Sequence, residues 1–318
     1  MNAVSFTRFM AILLVTNSHF DALYPKSLVA LATGGAIGNA LFFFVSGYAL
    51  FMSRRTSFFD WIFRRFSRIL PSAWIFCFVA GMLGVAEFTP LGSALLSYHW
   101  FLRAIIIFYP IFFFAVKFFG KNLWVAAVLA LIPYAAMILA LPHETFIAET
   151  GFLGIRWYYL AIMLLGGVFA QHKEFFAAKN CGFAPAAAAA VAGTAFLAAH
   201  YAIQWATPRC AFPEIQLFTP VVLTLSTCGF FLLFQNLCES FAFPPALSVP
   251  IVVLSNLTLD IYLVQFEVVK FCAGFAAPFP LGFLAGALLV LLSAAILNRV
   301  AEETRTLLPS FRIAFSRT

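Results

Sequence analysis

The chain has 318 residues, 64% of them hydrophobic and only 10% charged. A soluble domain carries about 25% charged residues, so the polar surface here is too small to cover a water-soluble globule, and hydrocarbon must surround most of the exterior. The net charge of +7 does not call for a nucleic-acid partner, because the Arg and Lys residues lie in short segments between apolar runs, where the positive-inside bias of membrane proteins accounts for them.

Met1–Leu23 is apolar and lacks a small-residue cleavage site, which reads as a retained first span rather than a signal peptide. Apolar runs of about 20 residues predict about ten spanning helices, with limits near Ser5–Leu23, Ala32–Met52, Ile69–Phe88, Trp100–Phe119, Leu123–Leu141, Trp157–Gln171, Ala184–Trp205, Phe218–Asn236, Ser248–Cys272 and Leu281–Val300. The expected fold is an all-α integral membrane protein, a polytopic bundle with no soluble appendage, so that 1–318 forms a single membrane domain. The 42 Phe residues suit lipid-facing helix surfaces. Cys77, Cys181, Cys210, Cys228, Cys238 and Cys272 show no CxxC spacing; they read as small hydrophobes, and no metal site is expected.

Orientation follows from the basic residues. Arg54, Arg55, Arg64, Arg65 and Arg68 follow the second predicted span. Placing that loop in the cytoplasm also puts Arg8, Lys117, Lys121, Lys173, Lys179, Arg299, Arg305, Arg312 and Arg317 inside. Lys26, Arg103, Arg156, Arg209 and Lys270 are left at or near the other face. Both termini are therefore expected to be cytoplasmic.

Polar groups within apolar runs each need a reason. Arg8 and His19 are eleven residues apart; continuous helix would set them about 20° apart around the axis and roughly 16 Å apart along it. They border a pathway through part of the bilayer, or they are an interfacial Arg and a His at the outer boundary. Gly34 and Gly38 form a GxxxG pattern that suits close helix packing, with a backbone cradle for phosphate as the alternative. Arg65 and Arg68 share a helix face by their spacing. Their guanidiniums suit phosphate or serve as anchors on the positive side. Tyr98, His99 and Trp100 read as an interfacial aromatic belt. Asp260 falls in the middle of the ninth apolar run, where an acid faces a cavity or pairs with a basic side chain.

Taken in order, these segments resemble the acyltransferase-3 family of membrane-bound O-acyltransferases. Arg8 and His19 match the family's basic residue and His in helix one. Ala40-Leu41-Phe42-Phe43-Phe44-Val45-Ser46-Gly47-Tyr48 looks like its FFxxSGF/Y segment, and Arg65-Phe66-Ser67-Arg68-Ile69-Leu70-Pro71 looks like its RxxR-I-x-P element. His99-Trp100-Phe101-Leu102 with Tyr109-Pro110 is similar to its WFL…Y…P stretch. Leu257-Thr258-Leu259-Asp260-Ile261-Tyr262-Leu263-Val264-Gln265 resembles its late S-x-x-I-Y-L-x-H signature, with Gln265 standing where many members have His. These 318 residues hold no counterpart of the secreted hydrolase-like domain fused to some members, so transfer is expected to finish within the membrane or with a separate partner.

The resemblance implies transfer of an acyl group, usually acetyl from acetyl-CoA loaded on the cytoplasmic side. The acceptor is a hydroxyl of a cell-envelope glycan or glycolipid, in the inner (plasma) membrane. His19 and Arg8 become the catalytic candidates, Arg65 and Arg68 the donor-binding pair, and Asp260, Tyr262 and Gln265 the substrate-facing residues. Arg8, Asn17 and Ser46 are candidates to stabilise the thioester oxygen as it gains charge. Membrane lipid is the remaining partner. The rivals are a transporter or flippase of a lipid-linked sugar, which has no need to combine the RxxR pair with Arg8 and His19, and a non-catalytic scaffold, against which His19 argues.

Overall fold

The computed structural model of the chain describes residues 1–53, 57–84, 99–140, 154–176, 217–275 and 277–306, with a few isolated positions between 188 and 202. Every regular element among the described residues is helical: α1 Ala3–Ser18, α2 Gly35–Met52, α3 Phe58–Met82, α4 Trp100–Phe119, α5 Leu123–Ala140, α6 Gly154–Gln171, α7 Thr219–Ser240, α8 Pro245–Asn256, α9 Thr258–Ala273 and α10 Leu281–Thr306. The predicted seventh span, Ala184–Trp205, lies mostly outside the described residues, as do Arg54, Arg55, Tyr98, Lys179, Arg209, Arg312 and Arg317.

Among the described residues, four helical stretches are long and apolar enough to cross a membrane: Val29–Met52, Trp100–Ala140, Thr219–Ser240 and Leu281–Thr306. Trp100–Ala140 has 41 residues and contains two helices, about twice the length needed to cross a bilayer once. The pair α8 and α9 qualifies only when taken together, as a broken span.

By contacts the chain divides into two compact units, each assembled from separate segments. The first holds Met1–Val15, Gly34–Arg54 and Ile111–Ser255. Its centre is α2, packed on α6 and α7, with α5 against α6. Ile37 through Val45 are all buried, as expected of a helix apolar on every side. Phe43 stacks on Tyr159 with ring centroids 5.0 Å apart. Gly34, in a left-handed conformation (φ 109), caps α2. A Cβ on Gly38 would lie 2.7 Å from the Ala11 carbonyl oxygen of α1, so the GxxxG pair serves close helix packing.

The second unit holds Thr16–Thr33, Arg55–Pro110 and Asn256–Thr318. Here α3, α9 and α10 pack on one another, and the short 3-10 helix Asp21–Leu23 rests on α9 and α10. Helix α10 is two-sided by size rather than polarity. Gly282, Gly286, Val290, Ala294, Leu297 and Ala301 face inward, while Leu284, Leu288, Leu292 and Ile296 are exposed. Small inward residues let helix backbones approach where lipid removes any hydrophobic drive to associate.

Several helix limits differ from the sequence reading, and three of them have a visible local reason. Helix α3 starts at Phe58 rather than Ile69. Ser57 caps it: its Oγ accepts from the Asp60 amide at 3.3 Å and donates to Asp60 Oδ2 at 2.7 Å. That satisfies an orphan donor and places a carboxylate in the first turn. Helix α1 stops at Ser18 rather than Leu23, and the His19 amide bonds back to the Thr16 carbonyl at 3.0 Å in a tightened turn. The helical register from Arg8 therefore does not run through His19. The predicted span Ser248–Cys272 is broken at Leu257, where Ser255 Oγ donates to the Val252 carbonyl at 2.8 Å. Ser, Asn and Thr side chains compete with helical backbone bonds, and they cluster at this break.

Candidate functional site

At the end of α1, Asn17 organises the chain that follows. Its Nδ2 donates to the carbonyls of Leu31 at 2.7 Å and Thr33 at 2.9 Å. Its Oδ1 accepts from the Tyr24 hydroxyl at 2.8 Å. Both amide hydrogens are thus engaged, and Asn17 is the clasp of the 18–33 loop. His19 sits on that loop, half-buried, with its ring edge-on to Phe266 of α9 at 6.0 Å.

Helix α9 meets the end of α1 through Gln265. This amide is 1% exposed, and its Oε1 accepts from the Thr16 hydroxyl at 2.7 Å. The position where the family resemblance expects His therefore touches the turn that carries His19. Buried hydrogen bonds between neutral groups contribute about 1 kcal/mol. A double-mutant cycle of Thr16→Val and Gln265→Leu is expected to show a coupling of about that size in thermal unfolding in detergent. Strict additivity would mean that the bond adds nothing.

Tyr262, one turn earlier on α9, packs against Phe101 at 5.0 Å and His99 at 5.9 Å. Phe76 of α3 approaches the same imidazole at 5.5 Å. The His99 Nε2 is buried without a hydrogen-bond partner among the described residues, and its ring contacts place it within the second unit. Its signal in sequence was only its position at the start of an apolar run.

Asp260 occupies the first turn of α9, just past the break, rather than the middle of a continuous span. It is 1% exposed; its Oδ2 accepts from Asn298 Nδ2 of α10 at 2.8 Å, and the Ser72 hydroxyl of α3 lies within hydrogen-bonding reach of the same carboxylate. Asn298 went unread in the sequence, although an amide in an apolar run is itself a signal. Five residues separate Asp260 from Gln265, so the two polar levels along α9 stand about 7.5 Å apart and about 140° around the axis. Asp260 meets α10 and Gln265 meets α1.

The basic pair lies on α3, within its first three turns. Arg65 is half-buried with its guanidinium carbon 5.8 Å from the ring centre of Trp61, and Trp61 is fully buried edge-on to Tyr109 at 6.0 Å. Arg68 is exposed one turn later. Thus the second unit gathers His19, Arg65, Arg68, Asp260, Tyr262 and Gln265, whereas Arg8, half-buried on α1, belongs to the first. Among the described residues no group of His, Cys, Asp or Glu side chains is arranged to hold a metal ion.

A family model described as an acyltransferase domain matches residues 1–299. No curated protein and no solved structure matches the chain. The match spans nearly the whole chain and takes in every residue just placed from Arg8 to Asn298. The protein therefore belongs to the acyltransferase-3 family, and it is a membrane acyltransferase.

Proposed function

We propose that the protein moves an acetyl group from acetyl-CoA to a hydroxyl of a cell-envelope polysaccharide or glycolipid. It acts as a single domain of about ten spans in the inner membrane, with both termini cytoplasmic. What supports this most is that one compact unit holds both an imidazole and a paired guanidinium site, in a chain whose family transfers acyl groups. The donor's phosphates fit Arg65 and Arg68, because guanidiniums offer forked donors that match phosphate oxygens. His19 takes the proton of the acceptor hydroxyl as that oxygen attacks the thioester carbonyl; the C–S bond breaks and CoA leaves as its thiol. Asp260, Tyr262 and Gln265 order the acceptor side.

Mass spectrometry of envelope glycans from cells with and without the protein tests the reading: one acetyl mass on a defined sugar is expected, and identical glycans would overturn it. Replacing both Arg65 and Arg68 by Ala is expected to weaken acetyl-CoA binding by about a hundredfold, since each charge-assisted bond is worth roughly 1.5–3 kcal/mol. Lys at either position keeps the charge but loses the fork and should fall between. Isothermal titration of the purified proteins reads this directly, and unchanged affinity in the double Ala variant removes the pair from the donor site.

A further inference from the structure

The turn of α3 that carries Arg68 is poorly supported by its own backbone. Pro71 lies inside the helix; it has no amide to give the Ser67 carbonyl, and its ring crowds that carbonyl. The Ser67 hydroxyl meanwhile bonds back to the Arg64 carbonyl at 3.2 Å. A helix weakened at this point lets the guanidiniums of Arg65 and Arg68 change register relative to one another.

The support comes from the far end of α10. Arg305 Nη2 donates to the Arg68 carbonyl at 2.8 Å and to the Ser72 hydroxyl at 3.3 Å. Arg68 and Ser72 stand one turn apart, on either side of Pro71, so a single nitrogen bridges the weakened turn. Arg305 Nε is buried and makes no hydrogen bond among the described residues, and both contacts to α3 run through Nη2. Ser72 is fully buried, and Arg305 lies within electrostatic reach of Asp260, the carboxylate that Asn298 holds. Arg305 stands beyond residue 299, where the family match ends.

We infer that Arg305 is a positioning residue that staples the Arg65/Arg68 turn of α3 in the geometry that grips the donor's phosphates. This rests on the donor-site reading above. Arg305 itself touches the backbone of Arg68 rather than its guanidinium, so it acts through that turn.

Two donors separate positioning from general support: acetyl-CoA, and acetyl-pantetheine, which has the same thioester without the phosphates. Arg305→Gln is expected to raise KM for acetyl-CoA about tenfold with kcat changed less than about threefold. KM for acetyl-pantetheine should match that of the unaltered protein. Arg305→Lys should recover part of the loss. If Arg305→Gln does not accumulate, Arg305→Lys carries the same comparison, with an expected rise of about threefold for acetyl-CoA alone. An equal rise for both donors, or none for either, overturns the inference and leaves the donor-site reading standing. An unaltered protein that transfers acetyl from neither donor overturns both.

Discussion

His19→Ala is expected to abolish acyl transfer while the protein inserts and accumulates normally. A sugar hydroxyl is a weak nucleophile near neutral pH, and a positioned general base contributes about 10²–10⁴-fold to such a step. Nothing about the fold depends on the imidazole to a comparable degree. The loop that carries it is closed by Asn17, through bonds to Leu31, Thr33 and Tyr24. The ring itself contributes an edge contact with Phe266, worth about 1 kcal/mol for aromatic pairs of this kind. His19→Gln keeps a polar side chain of similar reach but cannot accept the proton, so it should be as inactive as the Ala variant. Product measured at matched protein levels decides the matter: undiminished transfer by either variant removes His19 as the base. Incubation of the unaltered protein with acetyl-CoA alone then separates the two routes. An acetyl group retained on His19 marks a two-step transfer, and its absence marks direct attack.

What could be read from the sequence follows from how local each cause is. The apolar run Trp100–Phe119 gives the limits of α4, and the starts of α5 at Leu123 and α10 at Leu281 are also met, because length and hydropathy alone define a helix in hydrocarbon. The start of α3 was hidden because its first turns carry Arg64, Arg65 and Arg68, which dilute the apolar signal, while the cap that starts it is one Ser–Asp exchange. The end of α1 depends on Asn17 finding carbonyls of residues 31 and 33, a pairing across a loop that no window on the helix contains. The same holds for the site. Spacing put Asp260 and Gln265 on different sides of α9, and the structure gives them partners on α10 and α1 respectively. Spacing could not name those partners, nor could it show Arg305 reaching Arg68 across 237 residues of chain. In the sequence, Arg305 counted only as one more positive charge at the cytoplasmic end.

Gly47 is expected to be the position least tolerant of any added atom, and the loss should appear as stability rather than chemistry. Helices α2 and α6 cross with their backbones in contact at two reciprocal points: a Cβ on Gly47 would run into the Met163 carbonyl, and one on Gly166 into the Phe44 carbonyl. Neither obstacle can rotate away as a side chain tip can, so an added methyl must push the two helices apart. That separation loosens the stack of Phe43 on Tyr159 and the packing of Phe44 on Phe169 and Phe231, which together make the centre of the first unit. Overpacking a core typically costs about 1–3 kcal/mol, and a clash with backbone belongs at the upper end. Against a total stability of about 5–15 kcal/mol, Gly47→Ala should lower the melting temperature in detergent by several degrees, and Gly47→Val should leave little folded protein. Gly193→Ala supplies the control, since a Cβ there meets its nearest neighbours at 3.7 Å, an ordinary contact. Size-exclusion profiles and melting curves of the three variants make the comparison without any assay of transfer. Equal melting temperatures for Gly47→Ala and Gly193→Ala would show that α2 and α6 have room between them, and the glycine of the SGY segment would then need a role in the reaction instead.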